Sequence, residues 1–140
     1  MKTIITLLLT FIFFTSYSQT YAVVSVGKSD LNYIGEINVG YQFKGFVLEG
    51  NLLPHLDRVN AAYLGGSVGY NVPFGMFTLT PLFGRNYRLI STDKIDLNGW
   101  VYSAGLRMEY KSVTLCYTRM DEINFVTVGF RGLLTKNYSR

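Results

Sequence analysis

Between Tyr33 and Phe43 the chain changes character at every residue, and this period of two constrains it more than any other feature. One parity reads Tyr33, Gly35, Ile37, Val39, Tyr41, Phe43, and the other Ile34, Glu36, Asn38, Gly40, Gln42. Successive side chains point to opposite faces only in an extended strand, so the pattern predicts a β-strand with one apolar and one polar face. Lys44-Gly45 separates it from a second alternating run, in which Phe46, Leu48 and Leu52 share a parity against Glu49 and Asn51. A two-residue link with a glycine free to take positive φ predicts a tight hairpin.

The alternation recurs down the chain. Ala61–Val72 sets Leu64, Val68 and Tyr70 against Gly65, Ser67 and Asn71, and Met76–Phe83 sets Phe77, Leu79 and Phe83 against Thr78 and Thr80. Gly99–Tyr110, Val113–Thr118 and Asn124–Leu133 follow the same rule, and a weaker opening run covers Thr20–Lys28. Eight strands are predicted. Short links (Lys44-Gly45, Pro73–Gly75, Lys111-Ser112) alternate with longer or more polar ones (Ser29–Asn32, Pro54–Asn60, Gly84–Asn98, Met120–Ile123). Tight turns at one end and larger loops at the other describe an up-and-down meander, and transmembrane barrels keep their short turns on the periplasmic side. Pro81 conflicts with closure, because it cannot donate a ladder bond and a closed barrel has no free edge. A bulge at Pro81, or an end to the strand near Thr80, is expected.

Lys2, the uncharged run Ile4–Phe14 and the small-residue exit Thr15–Ser18 predict a secretory leader over residues 1–18, cut before Gln19. Residues 19–140 then form one barrel domain. No later segment is apolar for 18 residues, which excludes a helical membrane protein. The net charge of +4, from 13 basic and 9 acidic side chains, is spread along the chain and is no nucleic-acid footprint. One Cys and one His exclude a disulfide framework and multi-cysteine or multi-histidine metal sites, so no metal or cofactor is expected.

Charged residues are 16% of the chain, against roughly 25% in soluble domains, and aromatics also reach 16%. Their placement explains the balance. Tyr41, Phe43, Phe46, Tyr70, Phe77 and Tyr110 flank the short turns, while Tyr33, Phe83, Trp100, Tyr102 and Tyr117 lie toward the loops. Two such belts are what amphipathic rings form at the two headgroup levels of a bilayer. The opposite parity is mostly Gly, Ser, Thr and Asn, with Glu36, Glu49, Arg107, Glu109 and Arg131 among them. That composition suits a narrow lumen. Charges buried there must be paired, so Arg107 and Arg131 are predicted to bridge the three glutamates. Cys116 falls on the lumenal parity as an inert packing residue.

In these respects the chain resembles the small eight-stranded outer-membrane β-barrels of the OmpA, OmpX and opacity-protein type, over Thr20–Leu133. The resemblance implies an all-β, eight-stranded antiparallel up-and-down transmembrane β-barrel, exported to the outer membrane of a Gram-negative bacterium. It also implies the barrel-insertion machinery as a partner. That machinery reads a terminal aromatic in the family, a part that Phe130 or Tyr138 would fill here, since the chain runs on to Asn137-Tyr138-Ser139-Arg140. The exit Ser16-Tyr17-Ser18-Gln19 resembles leaders of flavobacteria-like Gram-negatives.

An eight-stranded barrel is only wide enough to be filled by its own side chains, so a general porin is not expected. The expectation is a monomeric, non-enzymatic barrel with an envelope-structural or adhesion-type role through its loops, binding no nucleic acid. Within Gly84–Asn98, Arg85, Arg88 and Lys94 are candidate contacts for anionic phosphates of lipopolysaccharide. His55 with Asp57, and Ser91 with Asp93 and Asp96, could serve a lipid acyltransferase, but their spacing matches no catalytic motif. The main alternative is a secreted soluble barrel, lipocalin- or avidin-like, with the apolar parity turned inward around a hydrophobic ligand.

Overall fold

The computed structural model describes residues 18–30, 32–57, 61–92, 95–96 and 98–134. Residues 1–17 of the expected leader, together with Asp93, Lys94 and Tyr138, lie outside the described residues. The strands are β1 (Ser18–Ser29), β2 (Tyr33–Phe43), β3 (Phe46–Pro54), β4 (Ala61–Tyr70), β5 (Val72–Phe74), β6 (Phe77–Thr92), β7 (Ile95–Asp96), β8 (Gly99–Tyr110), β9 (Val113–Met120) and β10 (Ile123–Leu133). β4 and β5 keep one register against β6, as Gly69 pairs with Leu82 and Val72 with Leu79. β7 and β8 likewise share one register against β6. The ten segments therefore make eight staves. Every neighbouring pair is antiparallel, and β1 pairs with β10 to close the barrel.

Pairing also sets the tilt. From Thr80 the partners run through Arg107, Cys116, Thr127, Gly27, Ile34, His55 and Ala61, and return to β6 at Ile90, ten residues farther along. A stagger of that size across eight staves inclines the strands by roughly 40° to the barrel axis. At the first hairpin Lys44 (φ 47°) and Gly45 (φ 88°) both take positive φ, the backbone that matches strand twist in a two-residue turn.

The apolar parity faces outward. Val24, Val39, Leu48, Val68, Leu106, Leu115 and Val128 are all exposed, while Ser25, Asn38, Glu49, Thr80, Arg107, Thr114 and Thr127 are buried inside. That orientation overturns the soluble alternative, which required the apolar parity within.

Two local expectations fail. Gly84–Asn98 is not a long loop: β6 continues to Thr92, and the ladder holds up to the pairs Ser91–Asp96 and Thr92–Ile95. Alternation persists there, but Arg85, Tyr87 and Arg88 disguise it as polar loop. Pro81 causes neither a bulge nor an early end. Its ladder to β8 is intact through the pair Pro81–Leu106, and the gap falls on the other side, opposite the break between β4 and β5. There the Thr80 hydroxyl donates to Asn71 Oδ1 at 2.6 Å, a side-chain bond where the ladder is missing.

Candidate functional site

The lumen is built on inward-facing side chains from opposite walls. Arg107 on β8, 1% exposed, forms an ion pair with Glu49 on β3. Its Nε lies 2.8 Å from Glu109 Oε1. Arg131 on β10 donates to Glu109 Oε2 at 2.5 Å and to Gln42 Oε1 at 2.7 Å. Two arginines thus hold two glutamates in one chain of contacts. Glu36, expected to join them, does not. It accepts from Ser25 Oγ at 2.8 Å, Asn38 Nδ2 at 2.8 Å and Thr127 Oγ1 at 2.7 Å, so neutral donors satisfy it where guanidinium was predicted.

Tyr21 was not among the expected site residues, yet it sits at the centre. Its hydroxyl donates to Glu49 Oε1 at 2.6 Å and accepts from Arg107 Nη2 at 3.3 Å, while the Arg131 guanidinium stacks 3.8 Å from its ring centroid. Its place on the polar parity, opposite Gly40, was the available signal.

The two ends of the lumen differ. Toward the tight turns a polar vestibule of about 690 Å³ opens, lined by Gln19, Gln42, Thr78, Glu109 and Arg131 among others. Farther in, beside Glu36, Glu49 and Asn86, the free space is about 20 Å³, room for about one water. Toward the loops Ile34, Leu53, Tyr63, Val101, Met120 and Phe125 pack into a buried apolar cluster that fills the lumen. This cluster was also unforeseen.

His55 lies beyond β3, its ring 5.7 Å from that of Tyr63, and neither ring nitrogen has a hydrogen-bond partner among the described residues. Burial lowers its pKa from the ordinary value, and Asp57 opposes the shift. A base with a depressed folded pKa contributes stability that is complete above its unfolded value near 6.5, and that is lost as pH falls below it. Corrected for the intrinsic pH dependence of amide exchange, protection at the β3–β4 end is therefore expected to fall between pH 7.5 and 5, and His55→Phe to flatten that response. An equally steep response in the variant would refute the assignment. Asp57 accepts from the Tyr33 backbone N–H at 2.7 Å, a bond that ties the β3–β4 turn to the start of β2.

On the outer wall the turn-side rings pair: Phe46 with Tyr70 at 5.1 Å and Phe77 with Tyr110 at 5.4 Å. Lys44 and Lys111 lie over Phe43 and Tyr110. Toward the loops Tyr33, Phe83, Trp100, Tyr102 and Tyr117 are exposed, and Tyr87 adds a ring 5.3 Å from Trp100. Of the three cations expected on a loop, Arg85 stands on this wall, stacked on Trp100 at 4.9 Å and Tyr102 at 5.6 Å. Arg88 has the opposite parity and approaches Asp121 at 3.7 Å.

No protein-family model and no curated protein sequence matches the chain. Solved structures do. The de novo designed TMB2.3 superposes with a TM-score of 0.54 at 16% identity, covering 85% of this chain and 96% of the other. Neisserial surface protein A (NspA) superposes with a TM-score of 0.50 at 13% identity, over 81% of this chain and 94% of the other. At such identities the likeness speaks for the fold alone. With a closed ring of eight antiparallel staves, a polar lumen and an apolar wall, the chain has the fold of the small outer-membrane β-barrels.

Proposed function

We propose that the protein spans the outer membrane of a Gram-negative bacterium as a closed, non-conducting and non-enzymatic barrel, and acts through the surface it shows beyond the loop-side leaflet. The filled lumen carries this reading: Arg107 and its glutamates occupy the middle, and the apolar cluster of Ile34, Tyr63 and Phe125 occupies the loop end. A solute would have to displace both. The β6–β8 hairpin supplies the presented surface. The last pair between β8 and β9 is Ser103–Met120 and the Tyr102 carbonyl still accepts from the Asp121 N–H, so Gly99–Val101, β7 and the end of β6 stand beyond the β9–β10 turn. A surface role agrees in kind with the name of the Neisserial barrel it resembles.

Two measurements test the reading. The protein is expected in the detergent-extracted membrane fraction, with heat-modifiable gel mobility, and it should produce no conductance steps in planar bilayers. Recovery from the soluble periplasmic fraction would refute membrane insertion. Regular conductance steps from the purified protein would refute the closed lumen.

A further inference from the structure

Among the described residues, three basic ones face outward near the loop end of the wall: Lys28 on β1, Arg85 on β6 and Arg119 on β9. All three are exposed, and none has a carboxylate within salt-bridge distance among the described residues. Pairing relates their positions. Arg85 pairs with Tyr102 on β8, and two residues down that strand Ala104 pairs with Arg119. With strands tilted by roughly 40°, two steps across the sheet raise a residue by about as much as two residues back along the strand lower it. Arg85 and Arg119 thus share one height on the wall, roughly 12 Å apart. The same construction from Arg119 through Asn124 and β1 brings Lys28 to that height.

Two apolar grooves run beside Tyr102, which is 75% exposed. One, about 420 Å³, lies over Ala104 between Phe83 and Tyr102 and is topped by Arg119, with Asp121 at its rim. The other, about 360 Å³, lies over Gly66 between Leu48, Val68, Phe83 and Tyr102 and is topped by Arg85. Each exists because a small outward residue stands among large ones. Asp121 faces Arg88 and Asp30 accepts from Asn124, so these two carboxylates already have partners.

The geometry points to a lipid site, resting on the membrane-spanning reading above: Arg85 and Arg119 bind the phosphates of a bis-phosphorylated, multiply acylated glycolipid of the loop-side leaflet. Its chains lie in the grooves over Gly66 and Ala104. Guanidinium binds phosphate in bidentate fashion, and Trp100 and Tyr102 hold Arg85 extended against the wall. A spacing of roughly 12 Å suits two phosphates on one headgroup better than one. Lys28 extends the same level around the barrel as a weaker electrostatic contact.

The test is native mass spectrometry of the detergent-purified barrel, titrated with bis-phosphoryl lipid A, monophosphoryl lipid A, phosphatidylglycerol and phosphatidylcholine. The expected order of affinity is that order. Arg85→Ala and Arg119→Ala should each weaken bis-phosphoryl lipid A roughly tenfold. Ala104→Leu keeps both charges and fills one groove, and it should weaken lipid A while leaving heat-modifiable mobility unchanged. Unaltered lipid A binding by the double arginine variant would overturn the proposal. So would phosphatidylglycerol binding as tightly as lipid A, which would reveal diffuse charge only. Either result in a protein still recovered from membranes defeats the lipid site alone; recovery as a soluble protein defeats the functional reading beneath it.

Discussion

Arg107→Met is expected to destabilise the barrel by about 3–5 kcal/mol, because it leaves buried Glu49 and Glu109 without the guanidinium that lies between them. Glu49, beside a free space of only about 20 Å³, has little water to fall back on, while Glu109 borders the vestibule. Tyr21 still donates to Glu49 and Arg131 to Glu109, but neither replaces a charge held against both. The double variant Glu49→Leu/Arg107→Met removes the orphaned charge together with its partner, and leaves Glu109 to Arg131. Buried ion pairs replaced by apolar side chains of similar volume are often near neutral, so the double variant should lie within about 2 kcal/mol of the parent. Urea unfolding in lipid vesicles measures both, by gel mobility and by the fluorescence of Trp100, the single tryptophan, which stands on the outer wall. A single variant within about 1 kcal/mol of the parent would remove the network from any account of stability.

That Arg107 faces the lumen was legible from parity; that it meets Glu49 was not. The two residues come from opposite walls, 58 positions apart. Which inward side chains converge depends on the ten-residue stagger around the ring, and no local pattern encodes that stagger. Hence parity gave the five charges a common face but not their contacts: Arg107 meets Glu49 and Glu109, Arg131 meets Glu109, and Glu36 meets neither arginine. Runs bounded by tight turns, such as Tyr33–Phe43 and Gly99–Tyr110, showed their limits in the sequence, because both faces alternate cleanly to the ends. Gly84–Thr92 hid its strand because Arg85 on the outward parity and Asn86 and Arg88 on the inward one give the run the polarity of a loop, although its ladder to β8 is unbroken. The loop-end cluster was overlooked for the converse reason. Ile34, Leu53, Tyr63, Val101, Met120 and Phe125 are apolar residues on the polar parity, visible one by one and meaningful only once the barrel brings them together.

Gly40 carries the second large expected effect. A Cβ built there would lie 2.3 Å from Tyr21 Cζ and 2.5 Å from its hydroxyl. The ring has nowhere to retreat, since Arg131 covers it and Glu49 holds its oxygen. Gly40→Ala must therefore displace Tyr21 and break the bond to Glu49, a combination of overpacking and a lost bond to a charged group worth about 2–4 kcal/mol. Gly132→Ala is the control, because nothing lies within 4 Å of its added methyl group, and it should change stability by less than about 0.5 kcal/mol. The decisive comparison is Gly40→Ala in a Tyr21→Leu background, where the phenol no longer reaches across and the alanine should cost under about 1 kcal/mol. Equal costs in the two backgrounds would mean that Gly40 serves the strand backbone and not Tyr21. A reduced cost would tie the lumenal charge network to a glycine on the neighbouring strand, through one aromatic ring.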